Sequence, residues 1–314
     1  MKTTAIFFPE KHRVDVRRIE LQPLAQDEVR VRVHANGICM LEVWFFQQGG
    51  HGGRVMGHEG VGVVEEVGSL VNTVKPGDWV GGYLPWSGHA HMKARDVVRL
   101  EGAPKHIRSH LLEPVSCSVN AAAALEIFPG DRAVVFGAGY MGLLLIQLMR
   151  HMPLAEIIAV DIREGSLAMA RRFGADRTIN GATPEGQAIL AAIPDGSIDL
   201  AVECTAAEGP LRQCERIVRP GGTLAIHSYH HERRPVDLSL WHERGIRVVN
   251  TAPGIVTGHA PYRSFQAADR LIRGGRFDAD TLVTHVYTPD QAEHAMQESV
   301  SRPEGFIKSV FQFA

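Results

Sequence analysis

Two textures of apolar spacing divide the chain. Up to about residue 100, apolar positions come in short runs broken by glycine. Residues 29–33 (VRVRV) alternate apolar and polar with the period of a half-buried strand. Residues 60–68 (GVGVVEEVG) and 78–84 (DWVGGYL) are further β-rich runs, separated by the turn signal Lys75-Pro76-Gly77-Asp78. Many short strands with Gly-rich turns predict a compact β-barrel or sandwich unit rather than a helical bundle. From about residue 130 the spacing changes. Residues 132–136 (RAVVF) form a continuous apolar strand, followed by Gly137-Ala138-Gly139-Tyr140-Met141-Gly142 and the helical run LLLIQLMRHM. A second strand over 156–160 ends at Asp161, and a helix rich in Ala, Arg and Met leads to a short strand at Thr178-Ile179. Residues 199–203 (DLAVE) and 223–227 (TLAIH) are two more apolar strands with a helix between them. Strands alternating with helices predict parallel βαβ units with right-handed crossovers, hence a doubly wound sheet. The tail predicts helices over 262–272 and 289–298 and strands over 282–285 and 306–313.

Composition narrows the classes further. A chain of 314 residues suggests two domains, at about 150 residues each. With 45% hydrophobic and 22% charged residues, disorder and collagen-like structure are excluded. Thirty-three Lys+Arg against thirty-five Asp+Glu gives a net charge of −2, which is no electrostatic footprint for nucleic acid or an anionic membrane. The four cysteines (Cys39, Cys117, Cys204, Cys214) form no C-x-x-C pair, so neither a disulfide framework nor a four-cysteine structural zinc lobe is expected. The N-terminus has no charged leader followed by a long apolar stretch, and the most apolar helical stretch, 141–149, is far shorter than the ~20 residues a bilayer needs. A cytoplasmic protein without a membrane partner is expected.

A lone GxGxxG is a weak signal, but here it lies between an apolar strand and a helix, with an acidic residue closing the next strand. Gly137 permits the tight turn, Gly139 lets the backbone approach a pyrophosphate, and Gly142 lets helix pack on strand. Asp161 follows Gly142 by nineteen residues, the distance expected of an acceptor for the adenosine ribose diol. A 2′-phosphate there would meet a like charge, so NAD is favoured over NADP. Arg163 could instead neutralise such a phosphate or pack on adenine. Tyr140, Met141 and Ile162 complete the candidate cofactor-binding set around the turn. Cys204-Thr205 and His227-Ser228-Tyr229, at the ends of two strands, lie where such folds line the cofactor cleft, or are ordinary loop residues. The competing readings are a glycine turn of another α/β fold and a SAM-dependent methyltransferase, which would not need the N-terminal β unit.

Two N-terminal segments gain meaning together. Asn36-Gly37-Ile38-Cys39 ends a strand, and nineteen residues after the cysteine comes His58, within Gly57-His58-Glu59-Gly60. A third segment, Leu111-Leu112-Glu113-Pro114, precedes the helix entering the nucleotide domain. Cys39, His58 and Glu113 offer one sulfur, one imidazole and one carboxylate, a set suited to zinc with a fourth position left for substrate. The motifs GIC, GHEGVGVVEEVGSLVNTVKPGDWV, LLEP, VVFGAGYMG and LVTHVYTPDQAEHAM…GFIKSV follow in an order that resembles the medium-chain, zinc-type alcohol and polyol dehydrogenase superfamily across nearly the whole chain. The Glu of LLEP resembles the sorbitol-dehydrogenase branch.

The resemblance implies an α/β protein: a GroES-like β-barrel catalytic domain over 1–114, completed by 259–314, and a Rossmann NAD-binding domain over 115–258, with the active site in the cleft between them. It implies one catalytic zinc near or on Cys39, His58 and Glu113, with Glu59 a further ligand or a partner exchanging with water, and Cys117 the alternative third ligand. Zinc would act as a Lewis acid on an alcohol oxygen while the nicotinamide takes the hydride. Its partners would be a small alcohol or carbonyl substrate and a second copy of the chain, as a homodimer or homotetramer paired around Arg247 to Asn250.

Three departures from the family pattern stand out. The structural-zinc lobe is missing, and residues 82–91 (GYLPWSGHAH) bridge the gap. Leu41 stands where a Ser or Thr usually relays the alcohol proton. Glu42 replaces an Asp that orients the zinc histidine, so Glu42 and Glu59 are the candidate catalytic carboxylates. Glu59, His51, His89 or the substrate could supply the proton route. The aromatic run Trp44-Phe45-Phe46 is core packing or an apolar substrate wall. The reading favoured is a zinc-dependent oxidoreductase transferring hydride between NAD(H) and a secondary alcohol, polyol or sugar-type substrate. The alternatives are an NAD-binding zinc epimerase or lyase without net redox, and a nucleotide-binding family member without catalysis.

Overall fold

The computed structural model describes residues 1–49, 53–251 and 262–313; His51 and the domain boundary at 258/259 lie outside the described residues. The chain divides into two compact units, Met1–Ser116 with Thr257–Ala314, and Cys117–Val256.

In the first unit, strands β1 (Lys2–Phe7) and β2 (Asp15–Glu20) form an antiparallel hairpin. The main sheet has seven strands: β3 (Glu28–Gly37), β4 (Gly60–Val67), β5 (Trp79–Gly82), β6 (His89–Lys93), β7 (Val97–Arg99), β14 (Val283–Tyr287) and β15 (Lys308–Gln312). Their order is β14-β15-β3-β4-β5-β7, with β6 also paired to β3. Helices α1 (Met40–Gln48), α8 (Tyr262–Arg273) and α9 (Ala292–Ser301) belong to this unit, and α2 (Leu112–Ala124) starts in it. The alternation along β3 does what period two demands: Val29, Val31 and Val33 are wholly buried and pack with Val64, Val80 and Leu84. Past a register shift between Val33 and Ala35, the pattern changes to Ala35, Asn36 and Gly37, all buried. There β3 lies between β4 and the C-terminal β15, with Asn36 opposite Gly60 and Gly37 opposite Val310. The strand has no solvent face at that end, and the candidate chemistry gathers around it.

Spacing did not predict helix α1. Its aromatic residues show no amphipathic period, and it is held by its cap instead: Glu42 at the third helical position accepts a 3.1 Å hydrogen bond from the backbone N–H of Cys39. Phe46 is core, edge-on to Phe8 at 5.5 Å, while Trp44 and Phe45 are half-buried. The helix expected over 289–298 starts later, as α9, because Thr288 and Gln291 close a separate 3-10 turn over Pro289–Gln291.

The second unit is α/β. Strands β8 (Arg132–Phe136), β9 (Glu156–Asp161), β10 (Arg177–Asn180), β11 (Ile198–Glu203), β12 (Val218–Ile226) and β13 (Arg247–Asn250) form an all-parallel sheet in the order β10-β9-β8-β11-β12-β13. The connecting helices are α3 (Tyr140–Met149), α4 (Glu164–Phe173), α5 (Pro184–Ala192), α6 (Glu208–Ile217) and α7 (Leu238–Arg244). Helix α3 is apolar nearly all round because Leu143 to Ile146 are completely buried. The strand order reverses between β8 and β11, the point at which open parallel sheets receive ligands beyond their carboxyl ends. Among the described residues, no helix is long and apolar enough to cross a membrane.

Candidate functional site

The end of β3 carries the first candidate centre. Antiparallel pairing of β3 with β4 brings Cys39, just past β3, next to His58 and Glu59, just before β4. The Cys39 sulfur, a His58 ring nitrogen and a Glu59 oxygen all lie within 4.8 Å of one another, and theirs is the one metal-capable group of this kind among the described residues. Asn36, fully buried, holds the backbone in place: its side-chain oxygen accepts from the N–H of Glu59 at 3.1 Å, and its amide donates to the Leu84 carbonyl at 2.7 Å. Gly37 leaves the room the carboxylate needs, because a Cβ there would overlap Glu59 Oε2. Gly57, in the left-handed region at φ +96°, would drive a Cβ into Trp86.

Glu42 does two things at once. Besides capping α1, its other oxygen accepts from His58 Nδ1 at 2.6 Å, which leaves His58 Nε2 as the nitrogen open to a ligand. Burial opposes a charge on His58, but the Glu42 carboxylate and the bonds to Cys39 and Glu42 outweigh it and raise its pKa well above 6.5. Burial pushes the Cys39 thiol up, against the pull of its hydrogen bond with His58. A sulfur, an imidazole fixed by a carboxylate and a buried carboxylate form the donor set expected of a zinc site. Glu113 sits at the head of α2, buried, with its carbonyl accepting from Ser116 Oγ at 2.7 Å; it does not belong to the group of three. Cys117 lies buried one helical turn further on.

Sequence reasoning missed Lys308. This lysine is 4% exposed on β15, and its ammonium lies 2.5 Å from Glu59 Oε2 while donating to the Ile38 carbonyl at 3.0 Å. A charge at an inward register position of the closing strand was the available signal. His89, considered for the proton route, lies on β6 with its Nε2 3.4 Å from Glu65 on β4.

The second candidate centre is the turn after β8. Gly137 stands at φ +97°, and a Cβ there would press on Thr205 and the Cys204 carbonyl; one on Gly142 would overlap the Gly137 carbonyl. Gly139 is the cap of α3, followed by buried Tyr140 and half-buried Met141. Asp161 Oδ2 accepts from the Ala138 N–H at 2.8 Å, and its Oδ1 accepts from the N–H and the guanidinium of Arg163 at 3.0 and 3.3 Å. Ile162 between them is exposed.

Across the strand-order reversal, the fully buried Glu203, to which sequence reasoning gave no role, gathers donors from the loops after β11 and β12. It accepts from the hydroxyl and N–H of Thr205, the N–H of Ala206, the Ser228 hydroxyl and His230 Nε2, the last at 2.9 Å. Thr205 and Ser228 therefore spend their hydroxyls on tying the β11 and β12 ends together. Burial pushes the neighbouring Cys204 thiol well above its ordinary range.

Residues 25–104 match the family model for the alcohol dehydrogenase GroES-like domain, and residues 141–271 match that for zinc-binding dehydrogenases. An uncharacterized zinc-type alcohol dehydrogenase-like protein of Escherichia coli is 27% identical, over 92% of each chain. A sorbitol dehydrogenase of Gallus gallus is 26% identical, over 94% of this chain and 93% of its own. In fold, an Escherichia coli oxidoreductase of unknown specificity superposes with a TM-score of 0.86 at 24% identity, covering 99% of both chains. The GroES-like unit, the six-stranded parallel sheet and the matched models lead to one conclusion: the chain belongs to the medium-chain zinc-type alcohol dehydrogenase superfamily, whose members are zinc-binding, NAD(P)-dependent dehydrogenases of alcohols and polyols.

Proposed function

We propose that the protein is a zinc- and NAD-dependent dehydrogenase that moves a hydride between a secondary alcohol, polyol or sugar-type substrate and the cofactor, in the manner of the sorbitol-dehydrogenase-like branch. The observation that carries this reading is the convergence of Cys39, His58 and Glu59 within 4.8 Å. These three would hold the zinc, and Glu113, buried at the head of α2, is proposed as the ligand that joins them. A zinc held there supplies a Lewis acid that lowers the pKa of an alcohol, and bound NAD supplies the hydride acceptor. The chain's own residues do the rest. Glu42 holds His58 by Nδ1 so that Nε2 stays presented. Lys308 offsets the Glu59 charge. Leu41 carries no proton, and Glu59, when it exchanges with water on the metal, is the carboxylate proposed to take the proton. The Gly137–Gly142 turn offers backbone N–H groups to the pyrophosphate, Asp161 reads the adenosine ribose, and its charge favours NAD over NADP. Thr205, Cys204 and Ser228 shape the loops on the far side of the strand-order reversal. A homodimer or homotetramer paired through the edge strand β13 is part of the same proposal.

Metal analysis with an NAD-linked absorbance assay over a panel of secondary alcohols and polyols tests the reading. About one zinc per chain and reduction of NAD are expected. Cys39→Ser should lose both the zinc and the turnover while binding NAD as before. A Cys39→Ser protein of unchanged activity would overturn the assignment, and bound zinc without NAD reduction would move it to a reaction with no net redox.

A further inference from the structure

His227 follows the last residue of β12 and is 3% exposed. Its N–H donates to the Glu203 carbonyl at 2.8 Å, which fixes it beside the carboxyl end of β11. Its ring is 2.8 Å, at Nδ1, from the Thr251 hydroxyl. That hydroxyl has a single hydrogen and lies 3.1 Å from the Ile226 carbonyl, which can only accept; with the hydrogen directed to the carbonyl, the hydroxyl oxygen accepts from the ring. The ring hydrogen therefore sits on Nδ1, and Nε2 carries a bare lone pair. Burial, against the weaker opposing pull of Glu203, pushes the His227 pKa down to about 4, so the ring stays neutral. Nε2 is buried and has no hydrogen-bond partner among the described residues. A buried acceptor without a donor costs free energy in the ligand-free protein, and a ligand that brings a donor recovers it.

The position tells which ligand group that is. If the dinucleotide reading holds, on which this inference rests, the adenosine ribose sits by Asp161 at the end of β9 and the pyrophosphate at the turn after β8. The second nucleoside then lies across the reversal, over the ends of β11 and β12, because the sheet is built of two mononucleotide halves. Ribose hydroxyls both donate and accept, so either kind of partner satisfies them. The nicotinamide carboxamide nitrogen only donates. We infer that His227 is a positioning residue whose Nε2 accepts a hydrogen bond from the carboxamide NH2 of the nicotinamide ring. That bond would fix the rotation of the ring about its glycosidic bond, and with it the face offered for hydride transfer. Glu203 supports it by binding together the loops that follow β11 and β12.

Calorimetric titration with three ligands tests this. NAD carries the carboxamide, the 3-acetylpyridine analogue replaces its NH2 with a methyl group, and ADP-ribose lacks the ring. The wild-type protein should prefer NAD over the acetylpyridine analogue by about tenfold, the loss expected for one buried acceptor left unpaired. His227→Leu should lose that preference, His227→Gln, which keeps an acceptor oxygen, should retain it, and ADP-ribose should bind all three proteins alike. A preference that survives in His227→Leu, or one absent from the wild type while ADP-ribose binds, would overturn the inference. If His227→Leu does not fold, the wild-type preference and its retention in His227→Gln still decide. Failure of ADP-ribose to bind the wild type would instead overturn the dinucleotide reading underneath.

Discussion

Lys308→Met removes a buried ammonium from Glu59 while preserving most of the side chain's length. In the metal-free protein the two charges neutralise each other at 2.5 Å, with side chains 5% and 2% exposed. Burial opposes the charge on Lys308, yet the facing Glu59 carboxylate, helped by Cys39 and Glu42, outweighs it and raises the lysine's pKa above 10.5, so the ammonium is charged at neutral pH. Methionine leaves the carboxylate buried and uncompensated, and breaking a buried pair in this way costs about 3–5 kcal/mol. For a folding unit of this size the loss corresponds to a midpoint lowered by roughly 10 °C. A divalent ion at Cys39, His58 and Glu59 compensates the same negative charge, so the zinc-loaded variant should lose much less. Thermal unfolding in chelator and in zinc, followed by circular dichroism, reads the difference directly. Equal losses in both conditions, or no loss in chelator, would refute the claim that lysine and metal share Glu59. Lys308→Arg keeps the charge and should shift the chelator midpoint less than methionine does.

Two further outcomes follow from the same site. Glu42→Gln removes the carboxylate that fixes the His58 tautomer and should weaken zinc binding by about 10–100-fold in chelator competition, since carboxylates behind a metal histidine typically contribute that much. Zinc affinity should also fall as pH is lowered: His58 is raised well above 6.5 and the Cys39 thiol is raised by burial, so both hold protons that the ion must displace. The decline should therefore begin above the ordinary imidazole range, with proton release on zinc binding seen as a buffer-dependent heat; a flat profile between about pH 6 and 8 would contradict the ligand assignment.

How far the sequence could be read depends on whether a feature is local. The turn at Gly137, Gly139 and Gly142 and the acidic residue at 161 were legible because a strand, a tight turn and a helix N-terminus impose their requirements on neighbouring residues. The doubly wound sheet was legible for the same reason, through apolar runs spaced by helices. Helix α1 was not, since its cap depends on the single contact of Glu42 with the Cys39 N–H and its aromatic residues carry no helical period. Nor could spacing show that Thr205 and Ser228 are bound to Glu203, because the three come together only where two parallel strands end side by side.

The sequence alone determined which residue types were candidates for holding a metal and a dinucleotide, and the segments in which they lie. Tertiary structure decided their company. Cys39 meets His58 and Glu59 because β3 and β4 pair antiparallel with Asn36 opposite Gly60, and Lys308 reaches Glu59 because β15 pairs with the end of β3 from the far end of the chain. Such pairings are set by the register that buries one face of each strand, a property of the assembled sheet that no single segment carries.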